Sequence, residues 1–149
     1  MRKAVVLSLS LSLFLFAVIL AAVGCGGGSS DAPEKVAEEF IKASIDGDAD
    51  AAYALISKDS TGLVENKEDL VAGMSEGISE YHVGGASIAG DTAKVATSLT
   101  LKDLDFEMKF DMILVKEGGS WKIDLAQTQT EMEKAVEEFM KDFEKSTTE

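Results

Sequence analysis

The chain has one cysteine, one histidine and few positive charges, and each scarcity removes a class of protein. A lone cysteine, Cys25, allows no intrachain disulfide and no cysteine metal cluster. A lone histidine, His82, leaves one ordinary candidate for proton transfer near neutral pH. There are 14 Lys+Arg against 27 Asp+Glu; Arg2 and Lys3 precede Cys25 and no acid does. Past Cys25 the balance is therefore 12 against 27, a net charge of −15. Such a surface repels nucleic acid and anionic head groups, so no nucleic-acid partner is expected, and membrane contact needs an anchor in place of a basic patch. The 149 residues contain no internal repeat and have room for one domain.

What is present begins with an export pattern. Met1-Arg2-Lys3 is a short positive start, and Ala4 to Val23 is almost continuously apolar, broken by Ser8, Ser10 and Ser12. This is the layout of a signal segment, which stands apart from the fold. It ends in Ala21-Ala22-Val23-Gly24-Cys25, which resembles the lipobox of bacterial lipoproteins, with Ala22 where that family usually has Leu. The resemblance implies cleavage between Gly24 and Cys25 and a diacylglycerol on the Cys25 sulfur. Gly26 follows, so the aspartate that retains some lipoproteins in an inner membrane is absent. In a two-membrane organism that favours the outer membrane. About twenty apolar residues could also stay as an uncleaved anchor, or be removed by ordinary secretory processing. The tract Gly26-Gly27-Gly28-Ser29-Ser30 favours the lipid reading, because a flexible tether suits a domain hung from acyl chains.

The remainder, residues 31–149, reads as helices followed by strands. Asp31, Pro33 and Glu34 carry helix-start signals, and Val36, Ala37, Phe40, Ile41 and Ser44 recur at helical spacing up to Asp46-Gly47-Asp48. Asp48 is placed to cap a helix from Ala49 to about Ser57, and a polar break from Lys58 to Glu65 follows. Asn66 then caps a helix to about Ser79 that buries Leu70, Val71, Met74 and Ile78. From Tyr81 the period becomes two: strands over Val83–Ile88, Ala93–Leu101, Leu104–Lys116 and Trp121–Leu125, with turns at Gly90-Asp91 and Gly118-Gly119. A last amphipathic helix is expected over 131–145, started by a capping box from Thr128 or Thr130 and striped with Met132, Ala135, Val136, Phe139, Met140 and Phe143.

Four pieces in order carry a wider likeness: Pro33 to Phe40, Asp46-Gly47-Asp48-Ala49-Asp50-Ala51-Ala52, Gly90-Asp91-Thr92-Ala93-Lys94-Val95, and Gly119-Ser120-Trp121-Lys122-Ile123. Their arrangement over Asp31 to Gln129 resembles the nuclear transport factor two-like (cystatin-like cone) superfamily, and more narrowly small bacterial lipoprotein domains of unknown function. The resemblance implies a curved sheet wrapped around helices, often enclosing a pocket. The helix over 131–145 departs from that pattern and would plug the open end of the cone or form an interface.

Candidate chemistry is sparse. Enzymes of that superfamily place Asp, His or Tyr inside the cone, which draws attention to His82 as a polar pocket group beside Tyr81. No partner carboxylate is evident in the sequence, and a histidine at a helix-to-strand junction is ordinary surface. Asp46, Asp48 and Asp50 alternate like the start of a calcium loop, but Ala51 and Ser57 stand where the turn Gly and bidentate Glu belong. A capped helix–helix turn is the expected reading, with no metal and no cofactor. Tyr53, Phe106, Phe110, Met112 and Trp121 are the candidate lining of a small-molecule pocket. The expected fold is α+β: N-terminal helices on a curved antiparallel four-stranded sheet, plus a C-terminal amphipathic helix. The expected protein is a lipid-anchored module in the cell or outer membrane, facing away from the cytoplasm. It works by non-catalytic binding of an envelope protein or a small apolar ligand; a cone-fold enzyme or carrier is the alternative.

Overall fold

A computed structural model describes residues 32–103 and 106–146. The signal segment, Gly24, Cys25, the Gly/Ser tether and Asp31 lie outside the described residues. Five helices and four strands follow in the order α1 Pro33–Asp46, α2 Ala49–Leu55, α3 Lys58–Thr61, α4 Lys67–Gly77, β1 Ile78–Ala89, β2 Thr92–Leu101, β3 Phe106–Glu117, β4 Ser120–Ile123 and α5 Leu125–Ser146.

Helix α1 forms the centre of the helical layer. Its predicted stripe is its buried face: Val36, Ala37 and Ile41 are fully enclosed and Phe40 nearly so. Pro33 opens the first turn, where its missing N–H costs nothing, and no side chain caps Ala32. The helix stops at Gly47, whose φ of 73° lets the amides of Gly47 and Asp48 turn back onto Ser44 and Ala43. Asp48 then caps α2 by accepting from the Ala51 amide, as the sequence predicts.

The polar stretch after α2 is a correction. It holds a one-turn helix, α3, started by Ser57, whose hydroxyl accepts from the Ser60 amide. Ser57 and Ser60 are buried, because both tie this turn to the end of β4. The Ser57 amide donates to the Ile123 carbonyl at 2.8 Å, and the Ser60 hydroxyl accepts from the Leu125 amide at 2.9 Å. Asn66 occupies the N-cap position of α4 without a side-chain cap bond.

The sheet is an antiparallel meander, β1-β2-β3-β4. The alternation expected of β2 and β3 is observed: Ala93, Val95, Leu99, Met108, Phe110, Met112 and Leu114 face the helices. β1 starts earlier than predicted, at Ile78, so Tyr81 and His82 stand within a strand and not at a junction. Its pairing with β2 is shifted at two places, between Ile78 and Glu80 and between Val83 and Ala86. Such bulges sharpen twist and bend a strand. At the second one the Ala86 amide donates to the Glu34 carboxylate of α1 at 3.0 Å, pinning the bend to the helix layer. Gly118 and Gly119, both with positive φ, make the tight turn into β4.

The last helix also begins earlier than predicted. Leu125 is its first residue and not the end of β4, and Asp124 caps it by accepting from the Gln127 amide. Thr128 and Thr130 are therefore interior residues and form no capping box. Thr130 donates to the Ala126 carbonyl, while Thr128 is buried and accepts from the Ile113 amide of β3 at 3.0 Å. Helix α5 packs against β3. The expected α+β class, with helices on a bent four-stranded sheet and a C-terminal helix, is the fold observed.

Candidate functional site

Between α4, the sheet and the first turns of α5 lies a cavity of about 660 Å³. Each wall follows from a local pattern. Helix α4 presents Leu70, Gly73 and Met74, at the i, i+3, i+4 spacing of one helical face. The sheet supplies Leu99 and Leu101 from β2 and Met108, Phe110 and Met112 from β3, all on the inward side of the pleat. Helix α5 adds Leu125, Thr128, Gln129 and Met132. Phe40 and Ile78 contribute from α1 and β1, and Leu63, Val64, Glu65, Asn66 and Asp69 sit at the approach. Phe40, Leu99 and Phe110 are buried, whereas Leu63, Glu65, Asn66 and Asp69 are exposed, so the site is an apolar hollow with a solvated mouth.

The volume is typical of a small-molecule pocket, and such sites are mostly apolar with a few polar groups. Four of the chain's six methionines, Met74, Met108, Met112 and Met132, line it. Unbranched thioethers adapt to ligand shape better than branched side chains do. Among the described residues no buried side-chain nitrogen or oxygen lacks a hydrogen-bond partner. No group of three His, Cys, Asp or Glu among them could hold a metal ion.

Of the residues nominated from sequence, Phe110 and Met112 line this cavity and four others stand elsewhere. Phe106 is half-buried at the start of β3, its ring centroid 4.0 Å from that of Phe139 on α5. Trp121 is buried in the core, with the Lys116 ammonium 5.4 Å from its ring. Tyr53 is half-buried beneath Lys67, whose ammonium is 4.9 Å from the ring centroid. His82 is exposed on β1 opposite Ser98, bordering an open, polar groove of about 620 Å³ with Glu34, Lys35 and Glu38 of α1. Glu34 there already accepts from the Ala86 amide. Across the same sheet, the Glu107 carboxyl is held below its ordinary value, first by the hydrogen bond from Lys109 and then by Ser98.

The three aspartates at the junction of α1 and α2 have separate partners. Asp46 pairs with Lys42, Asp48 caps α2, and Asp50 pairs with Lys67 at 2.7 Å. The hydrogen bond and charge of Lys67 lower the Asp50 pKa, and Asp50 raises that of Lys67. Glu65, Asp69 and Gln129 carry no sequence signal of a pocket, and the Leu and Met positions of α4 and α5 that line it form stripes that ordinary core packing produces equally well.

No family model and no curated protein matches this chain. Solved structures do. One, from Campylobacter jejuni and described as an NTF2-like transpeptidase, is 20% identical with a TM-score of 0.48, over 61% of this chain and 95% of that one. Another, a SEC-C motif containing protein from Rhodopseudomonas palustris, is 17% identical with a TM-score of 0.46, over 68% of this chain and 91% of that one. At these values the likeness carries nothing about activity.

Proposed function

We propose that this chain is a lipid-anchored extracytoplasmic module that binds a small, largely apolar molecule in the α4–sheet–α5 cavity, without catalysing its conversion. The observation that carries the reading is the cavity itself, a mostly apolar hollow of about 660 Å³ that is partly open to solvent. The non-catalytic part rests on the placement of His82, outside the cavity and exposed. The cavity's polar groups are carboxylates, amides and one hydroxyl already bonded to Ile113. The anchor rests on the lipobox-like Ala22-Val23-Gly24-Cys25 and the tether after it. Among the described residues no helix is long and apolar enough to cross a membrane.

Two measurements test it. Metabolic labelling with an alkyne fatty acid should tag the wild-type chain, and Cys25→Ser should lose the tag; a tag that survives removes the anchor. Native mass spectrometry of the chain extracted from membranes should show extra mass that disappears on denaturation. Leu70→Arg, which places a charge in the hollow, should abolish that mass; mass retained by this variant places the ligand elsewhere.

A further inference from the structure

The cavity has a charge pattern of its own. Its apolar walls lead to a mouth that carries two carboxylates, Glu65 and Asp69, beside the amides of Asn66 and Gln129. Among the described residues no lysine, arginine or histidine lines it. Lys67, next to this mouth in sequence, is turned away: its ammonium is 2.7 Å from Asp50 and lies over Tyr53. The segment past Cys25 adds a field of net charge −15, which opposes entry of any anion. We propose that, given the cavity reading above, the ligand is an amphiphile with an apolar body and a cationic head, an alkyl or aryl amine or quaternary ammonium. The body fills the space among Met74, Met108, Met112 and Met132, and the head stays between Glu65 and Asp69 in the solvated mouth. A head of this kind keeps most of its hydration there, so binding does not require burying a charge. A fatty acid or phosphate ester of the same body would meet two carboxylates and no counter-charge.

The methionines supply the probe. Four line the cavity, and Met140 is exposed on α5 away from it. The full chain, reconstituted in nanodiscs with methyl-labelled methionine, is titrated with hexyltrimethylammonium, hexanol and hexanoate while methyl shifts are followed by NMR. The expected order of affinity is the ammonium, then the alcohol, then the carboxylate. The ammonium should lead the alcohol by about five- to tenfold at low salt, the scale of two solvent-exposed charge contacts, and the lead should shrink at high salt. Glu65→Gln with Asp69→Asn should bring the ammonium to the alcohol's affinity. Neutralising Glu39 and Glu80, which lie away from the mouth, should leave most of its lead. Shifts of the four cavity methyls with all three probes alike, or strongest with hexanoate, would overturn the cationic ligand while leaving the cavity reading intact. An ammonium preference unchanged in the Glu65/Asp69 variant would overturn the assignment of the head to this mouth. Absence of any shift at the four methyls, with or without shifts at Met140, would overturn the cavity reading and this proposal together.

Discussion

Ser60 and Thr128 illustrate how single hydroxyls hold separate elements in register. Ser60 is 1% exposed, yet its hydroxyl contacts the Ser57 hydroxyl, the Ile123 carbonyl and the Leu125 amide. Ser60→Ala leaves the partly buried Leu125 amide without that acceptor and should cost about 1–3 kcal/mol, read from urea unfolding. Thr128→Val should cost a similar amount, about 1–3 kcal/mol, because the Ile113 amide loses its partner across the β3–α5 seam. The Asp50–Lys67 pair behaves differently, since both groups lie on the solvent-exposed surface. Asp50 has a lowered folded pKa, so its small contribution is present above the ordinary carboxylate range and lost as pH falls through the lowered value. Lys67, with a raised pKa, contributes below its ordinary value and loses that as pH rises through the raised one. In an NMR titration Lys67→Met should move the Asp50 midpoint up to the ordinary range; an unmoved midpoint would mean the pair does not persist in solution.

Among the elements, α5 has two unlike halves. Its first turns cap the cavity and bond to β3, whereas Val136, Phe139, Met140 and Phe143 are 39–57% exposed. Sequence periodicity gave these residues one continuous stripe, and nothing in it marks where β3 ends beneath the helix. Deleting residues 137–149 should therefore cost only about 0.5–1.5 kcal/mol, the scale of the Phe106–Phe139 ring pair. Deleting from 125 onward uncovers Met112 and strips the Ile113 amide of its partner, so the melting temperature should fall steeply. Equal effects of the two deletions would contradict this division. Helix α1 is the opposite case, fully legible from its spacing. Ile41→Ala in its enclosed face should cost about 2–5 kcal/mol in the same unfolding measurement. The misread boundaries share a cause. Trp121, Ile123 and Leu125 continue a period of two across the start of α5, and only the Asp124 cap marks the change. Ser57 and Ser60 carry no hydrophobic period, so α3 was hidden in a polar break.

At the scale of the whole molecule, the sequence by itself determined the export-like start, the strongly acidic surface, the order of helices before strands, and most of the inward face. These depend on local composition and on periods of 3.6 and 2, which are visible without knowing what packs against what. The tertiary structure alone decided that Phe110 and Met112 share a cavity with Leu70 and Met132 while Phe106, Trp121 and Tyr53 do not. It also placed His82 on an exposed strand outside that cavity, and Glu65 and Asp69 at its mouth. A core position and a cavity wall have the same hydrophobic pattern. They differ only in whether an element distant in sequence comes close enough to fill the space, and that depends on the bulged bend of β1 and the seat of α5 on β3.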